Sequence, residues 1–171
     1  MTITILKFKT MKKLIFIALL VLAIGSTIQA QQLQSPQGNF TMEFSLLQDG
    51  TPTYKLNYKN KEVLKSSKLG LELKNDKKSL LNDFNVIDTK TTTFDENWQP
   101  VWGEVSTIRN HYNELAVTLN QKETNRIMII RFRLFDDGLG FRYEFPSQKN
   151  LTNYLIHAHS TQSAMAPFPP A

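Results

Sequence analysis

The stretch RIMIIRFRLFDDGLGFRYEF, residues 126–145, decides the predicted fold. Its apolar side chains recur at every second position on both sides of Asp136-Asp137-Gly138, which is a turn sequence. Residues two apart along a strand point to the same face, so the pattern predicts two antiparallel strands, each with one buried face. Residues Ile127–Ile130 are apolar on both faces, which predicts that this strand lies in the interior of its sheet.

The same two-residue period recurs along most of the remaining chain. It is found in Phe40–Leu46, Tyr54–Tyr58, Leu69–Leu73 and His111–Asn120. Asp49-Gly50 lies between the first two runs and predicts another hairpin. Only Leu80–Val86 is compatible with a helical turn. The sequence therefore predicts an all-β, antiparallel sandwich or barrel.

Residues 1–30 have the layout of an upstream extension followed by a secretory signal peptide. Met11-Lys12-Lys13 is basic, Leu14–Ile24 is an unbroken apolar run, and Ala30 is a small residue at the expected cut. The apolar run is too short to span a bilayer core, which takes about 20 residues. We expect a signal helix, cleavage after Ala30, a periplasmic location and no membrane attachment once the leader is removed.

Charge and cysteine content exclude several classes of function. The 171-residue chain has the length of one domain and a formal charge of +5. Residues 1–30 contain four lysines and no acid, so sixteen basic residues against fifteen acidic ones remain in the rest of the chain. This balance predicts no nucleic-acid partner, because such binding needs a basic patch on the folded domain. The absence of cysteine excludes disulfides, thiolate metal sites and cysteine nucleophiles.

Two polar groups resemble metal or phosphate sites but have simpler explanations. His157 and His159 lie two apart on a predicted strand, as two zinc ligands would, but no third ligand is near them in sequence. The segment Asp136–Gly140 has part of a cation-loop or phosphate-loop pattern, without the later ligands or the following helix. We expect solvated histidines, a hairpin turn and no metal site.

Trp98, Trp102 and Glu104 are the candidate residues for carbohydrate contact. Aromatic faces stack on the C–H faces of sugar rings, and a carboxylate accepts hydrogen bonds from sugar hydroxyls. Packing of both tryptophans in the core is the alternative. Arg131 and Arg133 share one strand face, where acidic neighbours are expected to neutralise them. The sequence shows no pattern of catalytic residues, and none is predicted.

Five stretches together give the chain a specific resemblance to a known family. They are LQSPQGN at Leu33–Asn39, LGLEL at Leu69–Leu73, WQPVWGE at Trp98–Glu104, RNHYNEL at Arg109–Leu115 and RFRLFDDGLGFRYEFP at Arg131–Pro146. In this order and spacing they resemble the N-terminal domain of glycoside hydrolase family 97. This family includes periplasmic α-glucosidases of Bacteroides-type starch-utilisation systems.

The resemblance implies a β-super-sandwich of the galactose-mutarotase type that precedes a (β/α)8 catalytic barrel. The resemblance implies an incomplete sandwich at residues 31–165. A barrel takes about 250 residues, which is more than the 141 that follow Ala30, so we expect no barrel in this chain. The family's catalytic carboxylates and most of its calcium ligands belong to the barrel. We therefore expect no catalytic or calcium residue here, and a Pro-rich unstructured tail at residues 166–171.

Two functions follow from these observations. The first is the N-terminal portion of an exported α-glycosidase, which is inactive alone and whose full-length enzyme takes α-glucan oligosaccharides. The second is a stand-alone exported carbohydrate-binding module that uses Trp98, Trp102 and Glu104. A barrel reading frame downstream of Ala171 would support the first, and an unrelated gene the second.

Overall fold

The computed structural model describes residues 30–74, 76–101, 106–152 and 154–159, and these residues form ten strands and no helix. Accordingly, this part of the chain has no helix that could cross a membrane. The strands are β1 (Gln31–Gln34), β2 (Phe40–Leu46), β3 (Pro52–Tyr58), β4 (Lys61–Lys68), β5 (Leu71–Leu73), β6 (Phe84–Trp98), β7 (Ile108–Gln121), β8 (Arg126–Leu134), β9 (Leu139–Glu144) and β10 (Ile156–His159).

Three antiparallel sheets make up the described structure. One has the order β1-β2-β3-β4, a second has the order β6-β7-β8-β9, and β5 pairs with β10 in a third. The predicted hairpins are confirmed: β2 pairs with β3 across Asp49-Gly50, and β8 pairs with β9 across Asp136–Gly138. Strand β8 lies in the interior of its sheet, as its apolar faces predict.

The core is formed by the facing apolar sides of the two four-stranded sheets. Met42 and Phe44 of β2 and alternate residues of β8 are completely buried. The Phe132 ring of β8 lies 5.9 Å from the Phe44 ring and 6.0 Å from the Tyr54 ring. Phe141 of β9 joins the same aromatic cluster, at 5.6 Å from Tyr54. The all-β sandwich is therefore confirmed, and the residues of the alternating runs form its core.

Two hydrogen bonds tie distant parts of the chain together. The Gly70 amide donates to the Tyr143 hydroxyl at 2.9 Å, across 73 positions of sequence. The Asn113 side-chain amide donates to the Gln34 carbonyl at 2.8 Å, and this bond joins β7 to the edge strand β1. Burial raises the pKa of Tyr143 to about 12, so this hydroxyl is neutral at physiological pH.

The structure differs from the sequence prediction between positions 61 and 98. Leu80–Val86 forms no helical turn: Leu80 makes a β-bridge to Leu71, and β6 starts at Phe84. The predicted strand Leu69–Leu73 is shorter, because Gly70 separates β4 from β5. Strands β4 and β6 were not predicted. Both expose mainly polar side chains, so neither shows a clear apolar alternation.

Gly50 fixes the position at which β6 begins. Its φ of +77° is in the left-handed region, which glycine adopts without steric cost. The Phe84 amide donates to the Gly50 carbonyl, and the Asp83 amide donates to the Asp49 carbonyl. A Cβ on Gly50 would lie 2.5 Å from the Phe84 nitrogen, so only glycine permits this close approach of the two backbones.

We predict that Gly50→Ala destabilises the domain. The left-handed conformation alone costs an L-residue about 1–2 kcal/mol, and the contact with the Phe84 backbone adds to this cost. Gly138→Ala is the matched control, because a Cβ there meets no atom within 4 Å and the φ of Gly138 is not positive. Urea unfolding followed by circular dichroism measures both variants. Equal stability of the two variants would contradict the prediction.

Candidate functional site

Trp98 is the one predicted carbohydrate-contact residue that lies in the described part of the chain, since Trp102 and Glu104 fall outside it. Trp98 is the last residue of β6 and pairs with Ile108 of β7. Its side chain is 48% exposed, so it is not packed in the core. The core-packing alternative is therefore wrong for Trp98.

Trp98 lies at the end of a two-stranded ribbon that extends beyond the rest of its sheet. The pairing of β7 with β8 ends at Asn113 and Leu134, whereas the pairing of β6 with β7 continues to Trp98 and Ile108. Arg109 donates two hydrogen bonds to Asp95 across the ribbon, at 2.8 and 2.7 Å. These hydrogen bonds hold the pKa of Asp95 below its ordinary value.

An aromatic cluster forms the base of this ribbon. The rings of Phe94 and Tyr112 stack with centroids 5.1 Å apart, and the Phe135 ring also lies 5.1 Å from the Tyr112 ring. The guanidinium of Arg133 lies over the Tyr112 ring, 4.6 Å from its centroid. Stacking and cation–π attraction therefore stabilise the base of the ribbon.

A network of arginines and glutamates covers the outer face of β7, β8 and β9, which is the face turned away from the core. Glu114 accepts hydrogen bonds from Arg131 at 2.5 Å and from Arg133 at 2.8 Å. Arg131 also donates two hydrogen bonds to Glu144, which accepts another from Arg142. The expected neutralisation of Arg131 and Arg133 is confirmed, with Glu114 and Glu144 as the acidic partners.

Both carboxylates of this network are held in the charged form. Burial opposes ionisation of Glu114, but the hydrogen bonds from Arg133 and Arg131 outweigh burial and leave its pKa below the ordinary value. The hydrogen bonds from Arg131, assisted by Arg142, lower the pKa of Glu144 to about 2. At neutral pH these groups accept hydrogen bonds and do not donate protons.

Two hollows lie close to β6. The first is a hollow of ≈ 310 Å³ on the outer face, and its polar lining includes Asp88, Lys90, Glu114 and Arg131. The second is an open cleft of ≈ 1090 Å³ between the β2–β3 turn and the start of β6. Neither hollow is lined by Trp98, so the structure does not join this residue to a concave binding site.

The described residues contain no group of three or more His, Asp or Glu side chains that could hold a metal ion. By themselves they therefore do not fit a calcium site. Asp136 accepts a hydrogen bond from the Gln37 amide at 2.8 Å, which is a structural role in the β8–β9 turn. His157 and His159 both lie on β10.

Glu114 was not among the predicted site residues. Its position gives little signal, because it lies on the outer face of β7, opposite the core face that Leu115, Val117 and Leu119 mark. The signal is weak, since the burial of Glu114 depends on two arginines from the neighbouring strand.

Comparison with known proteins gives consistent results for the sequence and the fold. Residues 33–168 match the family described as Glycosyl-hydrolase 97 N-terminal. A glycoside hydrolase family 97 enzyme from Pseudoalteromonas sp. strain K8, solved in complex with panose, is 34% identical with a TM-score of 0.71. In complex with acarbose, a family 97 enzyme from the same strain gives 36% identity and a TM-score of 0.72. Each match covers 77% of this chain and 20% of the enzyme.

A β-arabinopyranosidase has the same fold, with a TM-score of 0.72, 20% identity, and coverage of 81% of this chain and 22% of that enzyme. This chain therefore spans about a fifth of the length of the solved enzymes that it matches. The match to the family extends over most of the described residues and over all three sheets. The chain belongs to glycoside hydrolase family 97 and corresponds to the β-sandwich of that family's N-terminal domain.

Proposed function

We propose that this chain is the non-catalytic N-terminal part of an exported α-glycosidase of the α-glucosidase type. The observation that carries the proposal is the match of residues 33–168 to the N-terminal family of glycosyl hydrolase 97. Family 97 enzymes from Pseudoalteromonas bind panose and acarbose, which supports α-glucan oligosaccharides as the substrates of the full-length enzyme. Hydrolysis would then be performed by a catalytic barrel, with calcium as a component of the full-length enzyme.

The ionisation of five described carboxylates argues against a role for these groups as the acid of a glycosidase. Glycoside hydrolysis needs one carboxylic acid whose pKa is raised, so that it can protonate the leaving group. Every carboxyl pKa with a resolved shift in the described ranges is lowered: those of Asp49, Asp76, Asp95, Glu114 and Glu144. None of these five groups is prepared to act as a general acid near neutral pH.

A second candidate function is a carbohydrate-binding module, and the exposure of Trp98 favours it. An exposed tryptophan at the end of a two-stranded ribbon offers a flat apolar face on which a sugar ring can stack. Trp102 and Glu104, which follow closely in sequence, are the other candidate contact residues.

Export is the third part of the proposal. The leader at residues 1–30 supports secretion, and the folded domain would then be residues 31–165 in the periplasm, followed by the tail at residues 166–171.

We predict that the purified chain does not hydrolyse α-glucosides. The measurement is release of p-nitrophenol from p-nitrophenyl α-glucoside, with a full-length family 97 enzyme as the positive control. Turnover above a heat-treated blank, with activity that copurifies with the chain, would overturn the non-catalytic function.

For the binding module, we predict that maltotriose titrated into the chain gives saturable heat and quenches tryptophan fluorescence. Trp98→Ala should weaken this binding about fivefold or more, because one stacked aromatic ring is worth about 1 kcal/mol. Tyr58→Ala is the matched control, since Tyr58 is an exposed aromatic residue at the end of β3. If maltotriose produces no heat in the wild-type chain, the module function fails and the first proposal stands.

We predict that export removes residues 1–30 and leaves Gln31 as the first residue. Intact-mass measurement of periplasmic material tests the cut, and Ala30→Leu should accumulate the precursor because a small residue is needed there. A periplasmic protein that retains Met1 or Met11 would refute the cleavage.

A further inference from the structure

Strand β6 has an edge without a partner strand in the described structure. It lies at the end of the order β6-β7-β8-β9, and β7 is its neighbour on one side only. From Ile87 to Trp98 every residue of β6 is exposed. Its backbone N–H and C=O groups on the free side are therefore available to another strand.

The usual protections of an edge strand are weak in β6. The strand is 15 residues long and contains no proline. The register of its pairing with β7 shifts once, between Val86 and Asp88 near the start of the strand. Asp88–Trp98 is therefore paired with β7 without interruption. Natural sheets shorten, bend or interrupt an exposed edge, or place charges on it. In β6 the protection consists of charges, at Asp88, Lys90, Asp95 and Glu96, so a partner strand must offer complementary charges.

We propose that β6 pairs antiparallel with β6 of a second copy of this chain, so that the two four-stranded sheets form one continuous sheet. This inference rests on the edge geometry and on charge, and is independent of the proposed enzymatic role. A two-fold axis perpendicular to the sheet keeps the outer faces of both copies on the same side. Residues that oppose each other across the new interface must then lie on the same face of the sheet. This condition is met only when the two-fold axis passes beside a residue that opposes its own copy.

Charge complementarity selects the register centred on Thr93. In this register Lys90 lies opposite Glu96 of the second copy, and the symmetry forms this pair twice. Thr92 lies opposite Phe94, a combination of β-branched and aromatic side chains that is favourable across strands. No like charges oppose each other between Asp88 and Trp98.

The neighbouring registers are less favourable. Centring the pair on Thr92 places Asp88 opposite Glu96, which are like charges. Centring it on Thr91 places Glu96 opposite Val86, where the strand is irregular and a charge has no complement. The register centred on Thr93 therefore combines the longest regular pairing with opposite charges.

Lys90 and Glu96 are available for this pairing. Both are exposed, and neither forms an ion pair with another residue of the described ranges. By contrast, Glu114, Arg131 and Arg133 on the same outer face already neutralise one another. Of the charged residues of β6, Asp95 is paired with Arg109, whereas Asp88, Lys90 and Glu96 are in no ion pair of the described ranges. The two-fold axis brings Lys90 and Glu96 together.

Sedimentation velocity of the purified chain over a wide range of concentration tests the proposal. We expect a reversible monomer–dimer equilibrium. Lys90→Glu alone and Glu96→Lys alone should each raise the dimer Kd at least about tenfold, because each places two pairs of like charges in the interface. Lys149→Glu is the control for net charge, since Lys149 lies in an exposed loop, and it should dimerise like the wild type.

Mixing the two single variants gives the sharpest result. The heterodimer of Lys90→Glu with Glu96→Lys has opposite charges at both positions, so the mixture should regain association, as should the double variant. Circular dichroism verifies that each variant is folded. A chain that stays monomeric, one that forms an open series of larger species, a dimer insensitive to either reversal, or a mixture that fails to associate would each overturn the proposal.

Discussion

The contact between Phe132 and the two aromatic residues Phe44 and Tyr54 holds the two four-stranded sheets together. It joins β8 to β2 and β3, and Phe44 and Phe132 are completely buried. Burial of each large apolar side chain is worth about 1.5–3 kcal/mol, so these residues decide which face of each strand points inward. A shift of one residue in either strand would turn the whole apolar set toward water. The outer face, with its arginines and glutamates, is a consequence of this choice.

The sequence was informative where burial alternates and uninformative where it does not. Met42, Phe44, Ile130 and Phe132 follow the two-residue period and are core residues, and the turns at Asp49-Gly50 and Asp136–Gly138 were predicted correctly. Strand β6 was missed because an edge strand with two exposed faces has no apolar pattern to detect. Its existence depends on hydrogen bonds to β7, which propensity alone does not reveal.

In the candidate site, too, features that depend on nearby residues were predicted, and features that depend on distant residues were not. The pairing of Arg131 and Arg133 with acids was predictable from their common face. The identity of one acid, Glu114, was not, because the two arginines lie on the neighbouring strand β8. Trp98 was predicted to contact carbohydrate from its residue type and from its closeness in sequence to Trp102 and Glu104. Its exposed position follows from the extension of β6 and β7 beyond β8, which is a property of the sheet and not of the local sequence.

The hydrogen bond between Gly70 and Tyr143 has a consequence for how the domain folds. Together with the bond between Gln34 and Asn113, it requires segments 73 and 79 residues apart to meet. Closing loops of this length costs entropy before the packing of the two sheets returns any stability. Chains dominated by such non-local pairing fold in milliseconds to seconds, far more slowly than helical bundles. A newly made chain thus cannot complete the sandwich until β9 has emerged, because Tyr143 of that strand accepts the hydrogen bond from Gly70.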